Sequence, residues 1–450
     1  MRIKLDTPLL LQDIAKIIRG ECNLPINVFI EYIATDSREI ERNDLFIAIK
    51  GKRHNGESYI DEVIKSGGFT LSSIRHKSDI YHPDTITALG TLASFVNKNL
   101  PYILYRVGIT GSVGKTTTKE FLKSILSQKY SVHASDKNFN NEIGLPISLL
   151  SSKNEHEVLL MELGMNHFGE IAMLSKYLSP NIGIITNIGT AHIGNLGSRE
   201  GIAKAKLEIT EGMTDGILII PYDEPLLVTQ KRTLTFSTSN RDADCCLLEN
   251  NDGELLFFYK KDLFCKFSFA IMESQYRYCL ANALAAAVTM GLNEADVLKG
   301  ISAITKDNIR QKIIELDNLF FYTDFYNASR ESVLACIEAA KSIYPGKVKN
   351  LLLGDILELG NMSDEIHYEI GRSILRKDFN NLFLFGNKIT AIREGAASVG
   401  FPVNKIHVNN DLSSPLTTAQ QIREHCKKSE MIFMKASRAI GLERVLECFK

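Results

Sequence analysis

The stretch Tyr102-Ile103-Leu104-Tyr105-Arg106-Val107-Gly108-Ile109-Thr110-Gly111-Ser112-Val113-Gly114-Lys115-Thr116-Thr117 decides how the chain folds. Its apolar first half predicts a buried strand, and the glycines at 111 and 114 predict a turn. From Thr117 to Ser127, Phe121, Leu122, Ile125 and Leu126 recur at helical spacing, so the turn opens a helix. Strand, glycine loop and helix start together make a phosphate site, because free backbone N–H groups and the positive end of the helix dipole converge there. On this reading Thr110, Gly111, Ser112, Val113, Gly114, Lys115, Thr116 and Thr117 wrap the phosphates of ATP. Lys115 reaches the terminal phosphates and Thr116 puts its hydroxyl on Mg²⁺. The strict P-loop pattern is not met, since Ile109 stands where its first glycine belongs, and an ordinary glycine turn before a helix is the alternative.

Downstream, Val158 to Met161 reads as a buried strand ending in Glu162. Another, Ile182 to Thr186, ends in Asn187 to His192, and a helix from Arg199 follows with Lys204 and Lys206. In open α/β sheets ligands sit beyond the carboxyl ends of the strands. Lys115, Glu162 and His192 all follow such ends, so one crevice could hold them. Thr116 and Glu162 are a hard oxygen pair suited to one Mg²⁺, and His192 suits a second metal. Taken singly, Glu162 could be a surface charge and His192 a satisfied polar residue; their coincidence behind three strand ends favours the metal reading.

Residues 1–104 read as a small α/β unit: a helical stretch from Leu9 to Ile18, a buried strand from Asp44 to Gly51, and a helix from Ser58 to Lys65 stopped by Gly67-Gly68. Asp36, Ser37 and Arg38 follow a strand and could bind a nucleotide or sugar, with Arg38 as a phosphate fork, or form a solvated turn. Between Gly216 and Phe269 short apolar runs suggest a β-rich elaboration with a hairpin at Asp252-Gly253. Tyr278 to Met290, dense in alanine, reads as a packed helix in which Asn282 is either a core amide or a base-reading group. A composition break at Thr305 to Asn308 precedes strands that end at Asp324, Gly354-Asp355, Gly386-Asn387 and Lys435, a second doubly wound sheet. The expected class is α/β in three domains: a small N-terminal α/β domain (1–104), a central P-loop-type ATPase domain with a mostly parallel sheet (105–307) and a C-terminal Rossmann-like domain (308–450).

Composition narrows the partners. With 52 basic and 53 acidic residues the formal net charge is −1, so no global field recruits nucleic acid or an anionic membrane. No apolar run approaches the roughly 20 residues of a membrane span, and Met1 to Asp6 carries no signal core. The eight scattered cysteines include no Cys-x-x-Cys pair and read as free thiols of a cytoplasmic protein, expected to be a monomer.

These residues resemble the Mur ligases, ATP-dependent amide-forming enzymes of bacterial cell-wall precursor synthesis. The resemblance runs over Thr35 to Arg38, Thr110 to Thr117, Asn140 to Pro146, Glu162 to Ile171, Ala191 to Ile193, Ala203 to Ile209, Tyr326 to Ala328 and Gly354 to Gly360. The blocks at 162–171, 326–328 and 354–360 favour the MurF type, which adds D-alanyl-D-alanine to UDP-N-acetylmuramoyl-tripeptide. The resemblance implies that CO₂ carbamylates Lys206, which then joins His192 in holding the second of two Mg²⁺ ions. It also implies Asn282 near adenine, Arg310 near the phosphates and Asp324 near the ribose. Asp36, Ser37, Arg38, Asn141, Asn327, Lys435 and Ser437 are implied as substrate-binding residues, the last two near the incoming amine.

Several positions depart from the family pattern. Tyr276-Arg277-Tyr278-Cys279 replaces a usual Gly-x-His-Asn, Ser329 a proline, Ala436 a glycine, and Pro221-Tyr222-Asp223 stands where Asn-x-Asp is common. The metal and phosphate groups persist while peripheral contacts drift, which implies a divergent but active ligase. A Mur-type or folate polyglutamylating ligase with another amine substrate is one alternative. A nucleotide-binding relative that has lost catalysis is the other.

Overall fold

The computed structural model describes residues 1–450 except 23, 25, 26, 52, 53, 137, 138, 270–273, 306–310 and 326. The described residues build three sheets in succession. The N-terminal one contains β1 (Arg2–Leu10), β2 (Glu21–Cys22), β3 (Phe29–Ala34), β4 (Leu45–Ile47), β5 (Phe69–Ser72) and β6 (Ile80–Tyr81) in the order β1-β3-β4-β5-β6-β2. The central sheet contains β7 (Tyr105–Thr110), β8 (Val132–Ala134), β9 (Val158–Glu162), β10 (Ile182–Ile185), β11 (Ile217–Pro221), β12 (Thr233–Ser237), β13 (Cys245–Glu249), β14 (Leu255–Tyr259) and β15 (Asp262–Phe267). Its order is β15-β14-β13-β12-β11-β10-β7-β9-β8, parallel from β8 to β13 and antiparallel over the last hairpins. The C-terminal sheet contains β16 (Lys312–Leu316), β17 (Leu319–Thr323), β18 (Lys349–Gly354), β19 (Leu382–Phe385), β20 (Ile406–Asn409) and β21 (Met431–Lys435). Its order is β16-β17-β21-β18-β19-β20, with only β16 antiparallel.

Helices cover the parallel strands on both faces, so those strands are continuous apolar runs rather than alternating ones. All five residues of β9 and all four of β10 are buried. In the central sheet β10, β7 and β9 are neighbours, with Thr110 beside Ile185 and Ile109 beside Glu162. Three consecutive carboxyl ends therefore open on one edge. The C-terminal sheet repeats this arrangement: β17, β21 and β18 adjoin, with Thr323 beside Met434 and Leu353 beside Lys435.

Two local expectations are corrected. Leu9 and Leu10 do not begin a helix but end β1, where they pair with Ile30 and Phe29, and the helix starts at Leu11. Apolar residues at a strand-to-helix junction fit either period, and here the antiparallel ladder takes them. The strand expected over 44–51 is confined to Leu45–Ile47. The hairpin at Asp252-Gly253, the alanine-rich helix (Ser274–Thr289) and the C-terminal doubly wound sheet are all present.

The seams between the three units differ in character. Helix Thr85–Lys98 joins the apolar core of the N-terminal unit and packs against helices Gly144–Leu150 and Glu170–Leu178 of the central one. A Cβ at Gly90 would lie 2.2 Å from the Tyr177 ring, so only glycine admits this approach. Below it, buried Asn97 donates to the carbonyls of Tyr177 (3.1 Å) and Leu178 (2.8 Å) and accepts from Arg106 Nε (2.8 Å). The central and C-terminal units instead meet through loops around a cleft.

Candidate active site

The cleft has a volume of about 850 Å³. Thr116, Asn166, Ala191 and His192 line it from the central unit; Asp324, Asn327, Glu358, Ser437 and Arg438 are among those lining it from the C-terminal one.

On the central side the glycine loop turns as its sequence requires. Gly111 has φ +148°, and a Cβ there would lie 1.8 Å from Thr186 Oγ1. Helix Lys115–Leu126 then starts at Gly114, beneath which the buried Cys279 thiol packs, pushed up to about 12 by burial. The loop is braced by β10's continuation: Asn187 Oδ1 accepts from Val113 N (3.0 Å), and Ser112 Oγ accepts from Gly189 N (2.9 Å). Lys115 Nζ donates back to the Gly111 carbonyl, which holds the ammonium over the loop. Thr117 continues the helix, and Thr110 ends β7 with its Oγ1 buried and lacking a hydrogen-bond partner.

Glu162 is 2% exposed at the end of β9 and accepts a 3.0 Å hydrogen bond from Thr116 Oγ1 on its Oε2. Its Oε1 is buried and makes no hydrogen bond, although Lys119 Nζ lies 3.3 Å away. Lys119 is itself buried, touches Glu120 Oε1 at 3.2 Å and donates to the Ser135 carbonyl. A buried carboxylate oxygen short of donors, next to a threonine hydroxyl, fits a hard cation such as Mg²⁺.

Lys206, 1% exposed on helix Arg199–Leu207, forms no ion pair among the described residues. Burial, and then the neighbouring Lys115 charge, hold its ammonium form well below the usual lysine range. His192 precedes helix Ile193–Leu196 with φ +65°, and its Nδ1 is paired with the Glu358 carboxylate. That partner draws Glu358 below the ordinary carboxylate range.

On the C-terminal side Asp324 follows β17 and forms a 2.9 Å ion pair with buried Lys435 from the end of β21. Gln311 Nε2 also donates to Asp324 Oδ2 (3.0 Å), while its Oε1 accepts from the hydroxyls of Tyr276 and Tyr322. Ser437 Oγ accepts from Leu357 N (2.9 Å), and Asn327 Oδ1 accepts from Ala328 N (2.9 Å).

The cleft thus gathers Thr116, His192, Asp324, Asn327 and Ser437, with Glu162 on Thr116, Lys435 on Asp324, and Lys206 close enough to feel Lys115. Other sequence-derived residues lie elsewhere or have other partners. Arg38 donates through Nε (2.8 Å) and Nη2 (2.6 Å) to Asp36 on the exposed surface after β3, beside Ser37. Asn141 Oδ1 caps helix Gly144–Leu150 by accepting from Gly144 N (2.8 Å). Asn282 is fully buried: its Nδ2 donates to the Tyr278 carbonyl (3.2 Å) and its Oδ1 has no hydrogen-bond partner. Arg310 lies outside the described residues.

Sequence reasoning passed over Lys119, Gln311 and Glu358. Lys119 was accessible in principle, because four residues after Lys115 it shares a helix face with it. The drifted segment is engaged as well: Tyr276 binds Gln311, Tyr278 Oη donates to the Thr186 carbonyl (3.0 Å), and Cys279 supports Gly114.

Residues 109–290 match the Mur ligase middle domain. The chain is 33% identical to the UDP-N-acetylmuramoyl-tripeptide--D-alanyl-D-alanine ligase of Bacillus subtilis, covering 97% of both chains. Among solved structures, a MurF from Acinetobacter baumannii superposes with a TM-score of 0.88 at 26% identity, covering 99% of both. A MurF ligase from Thermotoga maritima in complex with ADP gives 0.78 at 29% identity, covering 93% of this chain and 96% of that one.

Proposed function

The chain belongs to the Mur ligase family, and from that premise we propose how its cleft carries out the reaction of the MurF type. The protein is an ATP-dependent ligase that adds D-alanyl-D-alanine to UDP-N-acetylmuramoyl-tripeptide in peptidoglycan synthesis, giving ADP and phosphate. The γ-phosphoryl group passes to the tripeptide carboxylate, the dipeptide amine attacks the acyl phosphate, and phosphate leaves from the tetrahedral intermediate. Activation is needed because a carboxylate resists nucleophiles.

One observation carries the assignment of roles: Thr116 and His192 face Asp324, Asn327 and Ser437 across a single cleft. Residues 105–307 bind ATP through Thr110 to Thr117, and Lys115 neutralises charge that develops on the transferred group. Thr116 and Glu162 would hold one Mg²⁺, and His192 and Lys206 a second. Bound there, Mg²⁺ supplies charge neutralisation and alignment of the phosphates.

Lys206 would serve as a carbamate. Burial disfavours its ammonium form, so the free amine would be available to CO₂: a nitrogen–carbon bond would form, a proton would leave, and the carboxylate so made would supply a hard oxygen ligand. Residues 1–104 take the UDP-sugar substrate through Asp36, Ser37 and Arg38, with Asn141 on the central side. Residues 308–450 take the amine through Asn327, Lys435 and Ser437 and close on ATP, whose ribose meets Asp324 and whose phosphates meet Arg310; Asn282, fully buried beneath the glycine loop's helix, acts on the base side only as a packed core amide. The enzyme acts as a cytoplasmic monomer. Among the described residues no helix is long and apolar enough to cross a membrane.

The test is Mg²⁺-dependent phosphate release from ATP with the tripeptide substrate supplied and the dipeptide present or withheld. Release only with both, plus a product heavier by the dipeptide residue, is expected. Release with another amine and not with D-alanyl-D-alanine overturns the amine assignment.

A further inference from the structure

A histidine that ligates a metal through one ring nitrogen commonly donates the other N–H to a carboxylate, which fixes tautomer and ring orientation. In this chain such a carboxylate comes from the opposite side of the seam. His192 Nδ1 lies in close contact with the Glu358 carboxylate, without the geometry of a regular hydrogen bond in this arrangement, which leaves Nε2 as the nitrogen that can ligate.

The arm that carries Glu358 is fixed within the C-terminal unit. Ile356 N donates to His367 Nε2 (3.0 Å), and Leu357 N donates to Ser437 Oγ (2.9 Å). Glu358 then takes φ +65°, uncommon for a residue with a side chain. Its carbonyl accepts from Gly194 N (3.0 Å), the second residue of the short helix that His192 begins. The backbones are so close here that a Cβ at Gly194 would lie 2.6 Å from Gly360 N. Two left-handed residues, His192 and Glu358, are thus set face to face by backbone contacts on both sides.

We propose that Glu358 is a positioning residue that acts through His192, so that the metal-binding side chains of the central unit are fully oriented only when the C-terminal unit sits against it. The inference rests on the assignment of His192 as a ligand. A surface ion pair that merely ties two domains together would draw its worth from charge alone. Orientation needs only an acceptor at the right place, so glutamine should serve where alanine does not.

The full chain is tested as wild type, Glu358→Gln and Glu358→Ala. Mn²⁺ binding is followed by electron paramagnetic resonance with ADP and UDP-N-acetylmuramoyl-tripeptide present and the dipeptide withheld, so that nothing turns over. Glu358→Ala is expected to weaken one Mn²⁺ site by about 10–100-fold. Glu358→Gln is expected to stay close to wild type. In turnover assays the Mg²⁺ concentration for half-maximal rate follows the same split, with the KM for the UDP substrate unchanged. In a His192→Ala background, Glu358→Ala has no further effect on Mn²⁺ binding. Small-angle scattering shows all variants equally compact.

Unchanged Mn²⁺ affinity in Glu358→Ala overturns the proposal. So does a loss of compaction that accompanies weaker binding, since Glu358 would then be a domain tie. Absence of dipeptide-dependent phosphate release in the wild type would strike the amine assignment instead, and leaves the Mn²⁺ result to be read by itself.

Discussion

The two seams of this molecule solve different problems with different chemistry. Where the N-terminal and central units meet, a helix is driven into apolar surroundings at Gly90 and its end is pinned by the buried Asn97–Arg106 pair. Where the central and C-terminal units meet, apolar residues such as Ile193, Leu196, Ile356 and Leu359 belong to one continuous core, and polar contacts cross beside them: Glu358 on His192, Thr190 Oγ1 donating to Glu331 Oε2 at 3.2 Å, and Gln311 linking Tyr276 to Asp324. Polar contacts can be exchanged for water at little net cost, whereas exposing an apolar helix face cannot. The first seam makes one body of two units. The second adds a set of polar contacts around the cleft.

The cleft side of the second seam is expected to govern rate, and the helix-packed first seam to govern stability. The largest effect is expected from Lys115→Met, which should lower kcat by about 10²–10³-fold, the scale of one lost charge-stabilising contact in a dry site. Its melting temperature should stay at the wild-type value; a large loss of stability with the rate retained would reverse the contrast. Gly90→Val comes next. Its added carbons meet the Tyr177 ring, so it should destabilise by about 1–3 kcal/mol, the usual cost of overpacking. Denaturant unfolding measures it, kcat should be unaffected in the folded fraction, and Tyr177→Ala in the same chain should restore part of the loss. If Gly90→Val instead slows turnover at full stability, the two N-terminal units do not behave as one body.

The smallest effect is a pH dependence inside the C-terminal unit. His407 stacks between Phe383 and His425, and burial, then His425 and Lys405, lower it to about 4. The native state keeps the ring neutral where the unfolded chain, near 6.5, is already protonated. Unfolding therefore takes up a proton between about pH 6.5 and 4, and stability falls as pH drops through that window. In His407→Phe the acid slope of unfolding should be shallower, with no change above pH 7; an unchanged slope would remove His407 as its source.

Much of the site's framework was readable because it follows from strand ends. Thr110 to Thr117, Glu162 and His192 sit where buried runs stop, and the sheet order makes those stops neighbours. What escaped depends on which face of an element turns inward, and on contacts between units. Lys119 shares a helix face with Lys115, but only its burial and its contact with Glu162 mark it as part of the site. The role of Gly90 has no local sign, because Tyr177 lies 87 residues away in sequence. Glu358 was visible only as one letter of a family motif, since its partner belongs to another sheet. At Leu9 and Leu10 an apolar junction satisfied two periods at once, and only the pairing with β3 decided.

The Glu358–His192 contact links ring orientation in the central unit to the position of the C-terminal one. Two equilibria that share a contact must influence each other equally in both directions. If bringing the C-terminal unit against the central one sets the His192 ring for a ligand, then any ligand that favours that ring orientation favours the closed arrangement by the same factor. Nucleotide-dependent closure and closure-dependent affinity would then be one number measured from two ends.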